Sequence, residues 1–318
     1  MEKQPVISVA IAAYNGENYI GKQLERLLAQ SRVPDEIVIC DDSDNLLTAQ
    51  AIEKFLPDRR IKYFKNPAQL GVNRNFEKAL SLCSGDYLFL CDQDDVWLPE
   101  KIELMADALS KDSKSDGVFC NSTLVNSELK SLNKTLWDLR KFTRSMQKTL
   151  TAGNSLNVFC RRVTCSGHNI AFKRHALDYI LPLPELAPFY PDTWIAFAIA
   201  LNSRWQIINE SLTQYRIHTG NDSAPAGNQI SAAIKARQCS AAERNYLLAQ
   251  ELIRRSSNAD PAKVEQLEKF ALFHRKRHGY SSNLINRTLQ ALQEVCTLHY
   301  HRYANGLRTF AADVLFHR

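Results

Sequence analysis

Residues 86–97 read Asp-Tyr-Leu-Phe-Leu-Cys-Asp-Gln-Asp-Asp-Val-Trp, and no other stretch restricts the fold as tightly. Tyr87 to Cys91 is an unbroken apolar run, the pattern of a strand buried on both faces of a parallel sheet. Asp92, Asp94 and Asp95 then crowd its carboxyl end, where open α/β sheets place their ligands. Carboxylates that close repel one another unless positive charge sits among them. A hard divalent cation bridging to a phosphate meets that need, and a solvated acidic turn is the plainer alternative. Placement straight after a buried strand, with Trp97 and Pro99 following, favours the metal.

The residues before and after this run alternate between strand and helix patterns. Val6–Ala12 is an apolar strand, followed by the turn Tyr14-Asn15-Gly16 and a helix with Ile20, Leu24, Leu27 and Leu28 on one face. Pro34-Asp35 ends that helix, and Glu36–Cys40 is a second strand with Asp41-Asp42 at its carboxyl end. A helix over 46–55, a strand over 61–64 and a helix over 71–83 lead to the strand at 87–91. A helix after Pro99 and a strand over 117–120 follow. This alternation predicts an α/β domain with a mostly parallel sheet and flanking helices. Residues 125–165 are rich in Ser, Thr, Asn and Lys and read as irregular, either a binding loop or a surface excursion. Beyond Pro225 only helix patterns remain, at 230–253, 261–274, around Leu284, Leu292, Val295 and Leu298, and at Leu307, Phe310 and Val314. The boundaries read as one α/β domain over 1–225 and a basic helical region over 226–318.

With 318 residues, 45% apolar and 23% charged, the chain can bury a large core and is not of disordered type. No apolar run approaches the ~20 residues that span a bilayer. The opening Met1-Glu2-Lys3-Gln4-Pro5 lacks a signal-peptide pattern, which predicts a cytoplasmic protein. Eight cysteines are scattered without a Cys-x-x-Cys pair, so they read as reduced and structural rather than zinc-binding. Net charge is +6, yet residues 225–318 carry 14 Lys and Arg against 7 Asp and Glu, while the remainder is nearly balanced. An acidic partner would therefore meet the C-terminal third. The run Arg275-Lys276-Arg277 points to an anionic membrane surface or a phosphorylated acceptor, and a solvated helical face is the alternative. Nucleic acid fits poorly and is not expected as a partner, because no recognised binding module is present.

Asp41 and Asp42 can accept hydrogen bonds from a base edge or a ribose. No Gly-x-Gly-x-x-Gly or Gly-x-x-x-x-Gly-Lys-Ser/Thr loop exists to cradle phosphates. Phosphate neutralisation then falls to a cation at the 92–95 cluster.

Five patches in order carry a family resemblance: Ser8-Val9-Ala10-Ile11-Ala12-Ala13-Tyr14-Asn15-Gly16, Glu36–Ser43, Gly71-Val72-Asn73-Arg74-Asn75-Phe76, Asp92-Gln93-Asp94-Asp95-x-Trp97, and Tyr215-Arg216-Ile217-His218 with Asn221. Over its first 225 residues the chain resembles family 2 glycosyltransferases of the GT-A fold, in particular bacterial surface-polysaccharide and rhamnosyltransferase-like members. The resemblance implies that Ala13, Tyr14, Asn15, Glu17 and Asp42 line a nucleoside pocket, with Asn75 and Asp92 flanking ribose and diphosphate. It implies a Mg²⁺ or Mn²⁺ ion on Asp94 and Asp92. His218 would stand near the metal or diphosphate, or be a core histidine. Arg216 would pair with phosphate or with a structural carboxylate.

Asp192, in Tyr190-Pro191-Asp192-Thr193-Trp194, matches the family's general base, although Pro191 replaces the usual His. Asp192 also suits a helix N-cap. Ser166-Gly167-His168-Asn169 falls where the family carries a glycine-rich loop, and His168 departs from that pattern. Trp97 and Trp194 read as sugar-stacking or core residues, with core preferred for Trp97. The implied activity is inverting transfer from a nucleotide-diphosphate sugar, a UDP- or dTDP-sugar, to a glycan or lipid-linked glycan acceptor of lipopolysaccharide or a similar surface polymer. That placement is at the cytoplasmic face of the inner membrane. A metal-dependent nucleotidyltransferase and a non-catalytic nucleotide-sugar-binding protein stay open as alternatives.

Overall fold

The computed structural model describes residues 4–184, 190–217, 232–257 and 259–315, with backbone alone for 232–240. Its strands are β1 (Ile7–Ala13), β2 (Glu36–Asp41), β3 (Ile61–Lys65), β4 (Tyr87–Cys91), β5 (Val96–Trp97), β6 (Gly117–Val125), β7 (Ser131–Thr135), β8 (Ile170–Lys173) and β9 (Trp205–Arg216). The helices of the sheet region are α1 (Ile20–Leu28), α2 (Leu47–Glu53), α3 (Val72–Leu82), α4 (Lys101–Lys111), α5 (Leu136–Leu139), α6 (Arg144–Thr151), α7 (Ser155–Arg161), α8 (Leu177–Ile180) and α9 (Pro191–Asn202). After them come α10 (Ala232–Arg254), α11 (Pro261–His278), α12 (Leu284–Cys296), α13 (His299–Tyr303) and α14 (Leu307–Leu315).

Among the described residues the strands form one sheet in the order β3-β2-β1-β4-β8-β6-β9-β5, with β7 paired to β6. β1, β2, β3 and β4 pair in parallel, as the strand–helix alternation predicts. β8 then runs antiparallel to both β4 and β6, so the far half of the sheet is mixed. β1 and β2 are apolar on both sides because helices cover both faces. One face packs α1 and α4 through Ile20, Leu24, Leu27, Ile102, Met105 and Leu109. The other packs α3, α7 and α9, and its core runs on into α10 and α11 through Leu248, Leu252, Leu267 and Phe270. Helix α9 is buried on nearly every side, from Trp194 to Leu201. It lies between the sheet and the C-terminal helices, which is where an all-apolar helix is stable.

Two expectations change, and one strand, β9, had drawn no expectation at all. Residues 125–165 are not irregular: they form β7, α5, α6 and α7, and carry Leu150, Leu156 and Phe159 into the core. The polar residues that read as loop are partly helix caps. Thr135 forms a capping box with Asp138, and Thr143 caps α6. Next, β9 has no clean apolar alternation, because its pairing with β6 slips register at Cys120 and Asn121. Last, two of the three cations in the Arg275-Lys276-Arg277 run are already paired within the protein. Lys276 pairs with Glu294 at 2.8 Å and Arg277 grips Asp313 with two bonds of 2.6 and 2.8 Å. The last strand ends at Arg216 and helix resumes at Ala232, so the expected boundary at 225 lies outside the described residues. The seven described cysteines are unpaired thiols. No helix among the described residues is long and apolar enough to cross a membrane.

Candidate active site

The carboxyl ends of β1, β2 and β4 open into a cleft of about 610 Å³. Asp42, Asn75, Asp92, Asp94, Asp95 and Asp192 all line it, so residues 150 positions apart in sequence meet in one place. The structure brings in Arg140, His168 and Tyr190 as well, of which the sequence singled out only His168.

The acidic tip is held from behind. Asp95 is buried, and its Oδ1 accepts the backbone N–H of Arg216 at 3.1 Å. Its Oδ2 faces His168 Nδ1 at 3.1 Å, and Asp92 lies 3.8 Å from the same nitrogen. On its far side His168 Nε2 meets the Ser122 hydroxyl at 2.9 Å, and Ser122 meets Thr213 at 2.6 Å. The ring also stacks on Tyr215. Burial drives the His168 pKa well down, so the imidazole is neutral. Burial, then Asp92 and Asp94, drives Asp95 well up. Asp92 is raised to about 7 by burial and by Asp94 and Asp192. Its side chain keeps 38% exposure toward the cleft, so solvent screens part of that effect. Lys101, fully buried, donates to the His168 carbonyl at 2.6 Å and lies over the Trp97 ring, a positive charge behind the cluster.

Asp192 sits in the first turn of α9. The N-cap is Tyr190, which makes no side-chain capping bond. Asp192 is the second residue of the helix rather than its N-cap, and it accepts the first-turn N–H of Thr193 at 2.6 Å. Burial raises its pKa, while Arg140 and the N–H groups of Thr193 and Gly167 hold it down. Arg140 is itself fixed by the carbonyls of Val163 and Cys165 and by the Ser166 hydroxyl. The segment at 166–169 thus lies between the two acidic groups. Its Gly167 N–H faces Asp192 and its His168 N–H faces Asp92.

On the nucleoside side the expected residues divide. Asp42 reaches the cleft wall, yet both its oxygens already accept bonds, from Asn66 and from the backbone N–H groups of Leu70 and Gly71 at 2.7 Å. Gly71 adopts φ +81°, the left-handed backbone that lets this turn close on the carboxylate. Asn75 spans the ends of β1 and β2 by donating to the carbonyls of Ala13 and Cys40. Tyr14 is exposed at the cleft, and Gln93 clamps its backbone with bonds of 3.1 and 2.8 Å. Ala13 contributes its carbonyl only; Ala12 is the alanine that faces the cleft. Asn15 and Glu17 are not among the lining residues. Asn15 donates its N–H to Ser43, and a buried Glu17 Oε2 has no hydrogen-bond partner among the described residues.

Arg216 does not point a free fork at phosphate. Its guanidinium donates to the carbonyls of Asp94 and Ser127, at 3.2 and 2.6 Å, and braces the acidic turn. Trp97 and Trp194 are both core. His218 and Asn221 lie outside the described residues. Sequence reasoning passed over Arg140, Gln93 and Tyr190 as site residues. Only Gln93 left a signal, the middle position of Asp92-Gln93-Asp94.

A sheet of this order, with an acidic cleft at the carboxyl ends of its parallel strands and a helical C-terminal part, defines a protein of GT-A type. The family model of "Glycosyl transferase family 2" matches residues 8–181, more than half of the chain, and the protein belongs to that family.

The chain is 25% identical over 229 residues to an uncharacterized glycosyltransferase of Nostoc, covering 71% of this chain and 69% of the relative. It spans only 20% to 47% of seven further curated relatives. Among solved structures, Staphylococcus aureus TarS 1–349 in complex with UDP-GlcNAc is similar with a TM-score of 0.59 and 19% identity, over 97% of this chain and 81% of that one. A Pyrobaculum calidifontis mannosyltransferase in complex with GDP-Man and Mn²⁺ gives 0.58 and 17%, over 94% and 76%.

Proposed function

We propose that the protein is an inverting, metal-dependent glycosyltransferase. It would move a sugar from a UDP- or dTDP-sugar to a hydroxyl of a glycan or lipid-linked glycan, as in lipopolysaccharide or other surface-polysaccharide synthesis. One observation carries the reading: the acidic tip of β4 and Asp192 share a single cleft, with Asp42 on its wall. The nucleotide-sugar complexes of the two similar structures support such a donor.

The residues fit a divalent cation. Asp95 Oδ2 and His168 Nδ1 are buried 3.1 Å apart and make no hydrogen bond among the described residues. Ligand atoms of Asp92, Asp95 and His168 lie within 4.8 Å of one another. Mg²⁺ or Mn²⁺ would be held by Asp92 and Asp94 at the cleft, backed by Asp95 and His168. Such an ion neutralises charge developing on a leaving diphosphate.

The chain's own residues do the rest. Asp192 accepts the proton of the acceptor hydroxyl as its oxygen bonds the anomeric carbon. The bond from that carbon to the diphosphate oxygen breaks on the opposite side, which inverts the centre. Burial raises the Asp192 pKa and makes it a stronger proton acceptor near neutrality. Tyr14, clamped by Gln93, and the wall at Asp42 hold the nucleoside end. Arg140 favours the ionised form of Asp192 against the effect of burial. The transition state is oxocarbenium-like, and holding donor and acceptor together lowers the barrier through orientation.

A thermal-shift screen of nucleoside diphosphates and their sugars, with and without Mn²⁺, tests the reading. The correct nucleotide raises the melting temperature, and more so with the ion. A flat response to every nucleoside diphosphate would sink it.

A further inference from the structure

His168 departs from the family's loop pattern, and the fold builds a frame around it. Its Nε2 meets the Ser122 hydroxyl at 2.9 Å, and Ser122 in turn meets Thr213 at 2.6 Å. Tyr215 stacks on the ring with centroids 4.9 Å apart. These contacts fix the plane of the imidazole and set Nδ1 toward the acidic tip of β4. Lys101 holds the same residue from behind, through its backbone carbonyl at 2.6 Å.

Nδ1 makes no hydrogen bond among the described residues, and neither does Asp95 Oδ2, 3.1 Å away. His168 is 0% and Asp95 2% exposed, so bulk water reaches neither atom. A buried polar atom left without a partner costs free energy. A proton shared between the two would require one atom to point at the other, and the pair lacks that alignment. Two ligands of one cation point at the cation instead. Ligands at ~2.1 Å from an octahedral ion stand about 3 Å apart along each edge. Asp92 brings an oxygen 3.8 Å from Nδ1 on the cleft side, where its side chain is 38% exposed and within reach of an entering ion. Metal-bound histidines almost always give their other ring N–H to an oxygen, which leaves the lone pair for the ion. Nε2 against Ser122 is placed for that.

We infer that His168 Nδ1 is a direct nitrogen ligand of the cation, beside Asp92 and Asp95, and that it selects Mn²⁺ over Mg²⁺. Mg²⁺ takes oxygen ligands in near-ideal octahedral geometry and keeps several waters. Imidazole suits first-row transition ions, and among these Mn²⁺ is the one that carboxylates also hold well. The inference deepens the proposed function and rests on its metal site, not on sugar transfer. It assigns to His168 the nitrogen that the family resemblance gives to His218.

The test is pulsed electron paramagnetic resonance of Mn²⁺ added to the untagged full chain, without nucleotide. The wild type should show a directly bound ¹⁴N, and His168→Gln should lose it. Mn²⁺ affinity, read from the free-ion signal, should fall by about tenfold or more in His168→Gln, since losing even an outer partner costs ~10–100-fold. Mg²⁺ affinity, read by competition, should fall less. Ser122→Ala leaves every ligand in place and should weaken Mn²⁺ binding by about 10–100-fold, which keeps the test alive if His168→Gln does not fold. Bound Mn²⁺ without ¹⁴N coupling in the wild type overturns the inference and leaves the metal reading standing. So does a coupling that survives His168→Gln and disappears in His218→Gln, or an equal loss of both ions in His168→Gln. A chain that binds no divalent cation overturns the inference and takes the metal out of the proposed function as well.

Discussion

The cleft and helix α12 both depart from ordinary burial, in opposite senses. In the cleft, Asp92, Asp95 and Asp192 are drawn together with Lys101 and Arg140 behind them and no Lys or Arg ion pair of their own in view. Burial and mutual repulsion push their pKa values up. At α12 every carboxylate is matched by a cation, and apolar side chains face water instead. A buried polar group costs free energy unless paired, and an exposed apolar patch costs free energy unless covered. Among the described residues, then, each region is incomplete in the terms its chemistry sets: the clustered carboxylates of the cleft have no Lys or Arg ion pair, and the outer face of α12 has no apolar cover. The paired carboxylates under α12 also show that acids alone do not mark a site.

The widest separation between the regions should appear in turnover. Asp192→Asn keeps the shape but cannot take a proton, and kcat should fall by about 10²–10⁴. The nucleotide-induced thermal shift should survive. In the wild type the acidic limb of kcat/KM should lie above the ordinary Asp value of ~3.9, because burial raises Asp192. Full turnover in the Asn variant would favour nucleotidyl transfer, which does not need this base.

Next in size is Arg277→Ala, which leaves Asp313 without its cation in a mostly buried site. Denaturant unfolding should show a loss of about 3–5 kcal/mol. A loss below about 1 kcal/mol would mean that the inner face of α12 is not tightly paired.

Asp92→Asn should act in the other direction. The Asp92 carboxyl is raised to about 7 in the folded protein and sits near ~3.9 unfolded. The folded state thus binds the extra proton between those values, and its contribution to stability is lost as pH rises through the window. Without metal, the variant should melt higher than wild type at pH 7, and the gap should close toward pH 4. Exposure of Asp92 trims the size of this effect. Mn²⁺ should reverse the ranking at pH 7 by binding the wild-type cluster. A gap that does not change with pH would detach Asp92 from the repelling group.

Smallest of all is Leu289→Gln. This side chain is 56% exposed and should change unfolding free energy by no more than about 0.5 kcal/mol. A larger loss would show that Leu289 is packed in the free protein.

Much of the sheet was legible in advance. β1, β2 and β4 are apolar on both faces, and α1 and α3 repeat their inward residues at helical spacing, so local pattern and tertiary role agree. The acidic tip after β4 was equally plain. Less legible were the short helices at 136–161, whose threonines serve as caps, and β9, whose register slip breaks the alternation that marks a strand. The site was half visible. Asp42, Asp92, Asp94 and Asp192 could be named from motifs, and all four line the cleft. Arg140 could not, because it comes from a segment with no motif. Arg216 was read as a partner of phosphate or of a structural carboxylate, and its guanidinium donates to the carbonyls of Asp94 and Ser127: such a group serves any of these acceptors, and the surroundings decide which.

What the sequence settled alone was periodic and local: which runs bury both faces, where strands end, and which carboxylates stand at those ends. What the tertiary structure decided was partnership. His168 joined Asp95, Asp192 came to face Asp92, Arg277 took Asp313, and the leucines of α12 were left outside. Side-chain type and spacing fix hydrophobicity and charge along one element. Pairing depends on distances between elements far apart in the chain, and packing sets those distances.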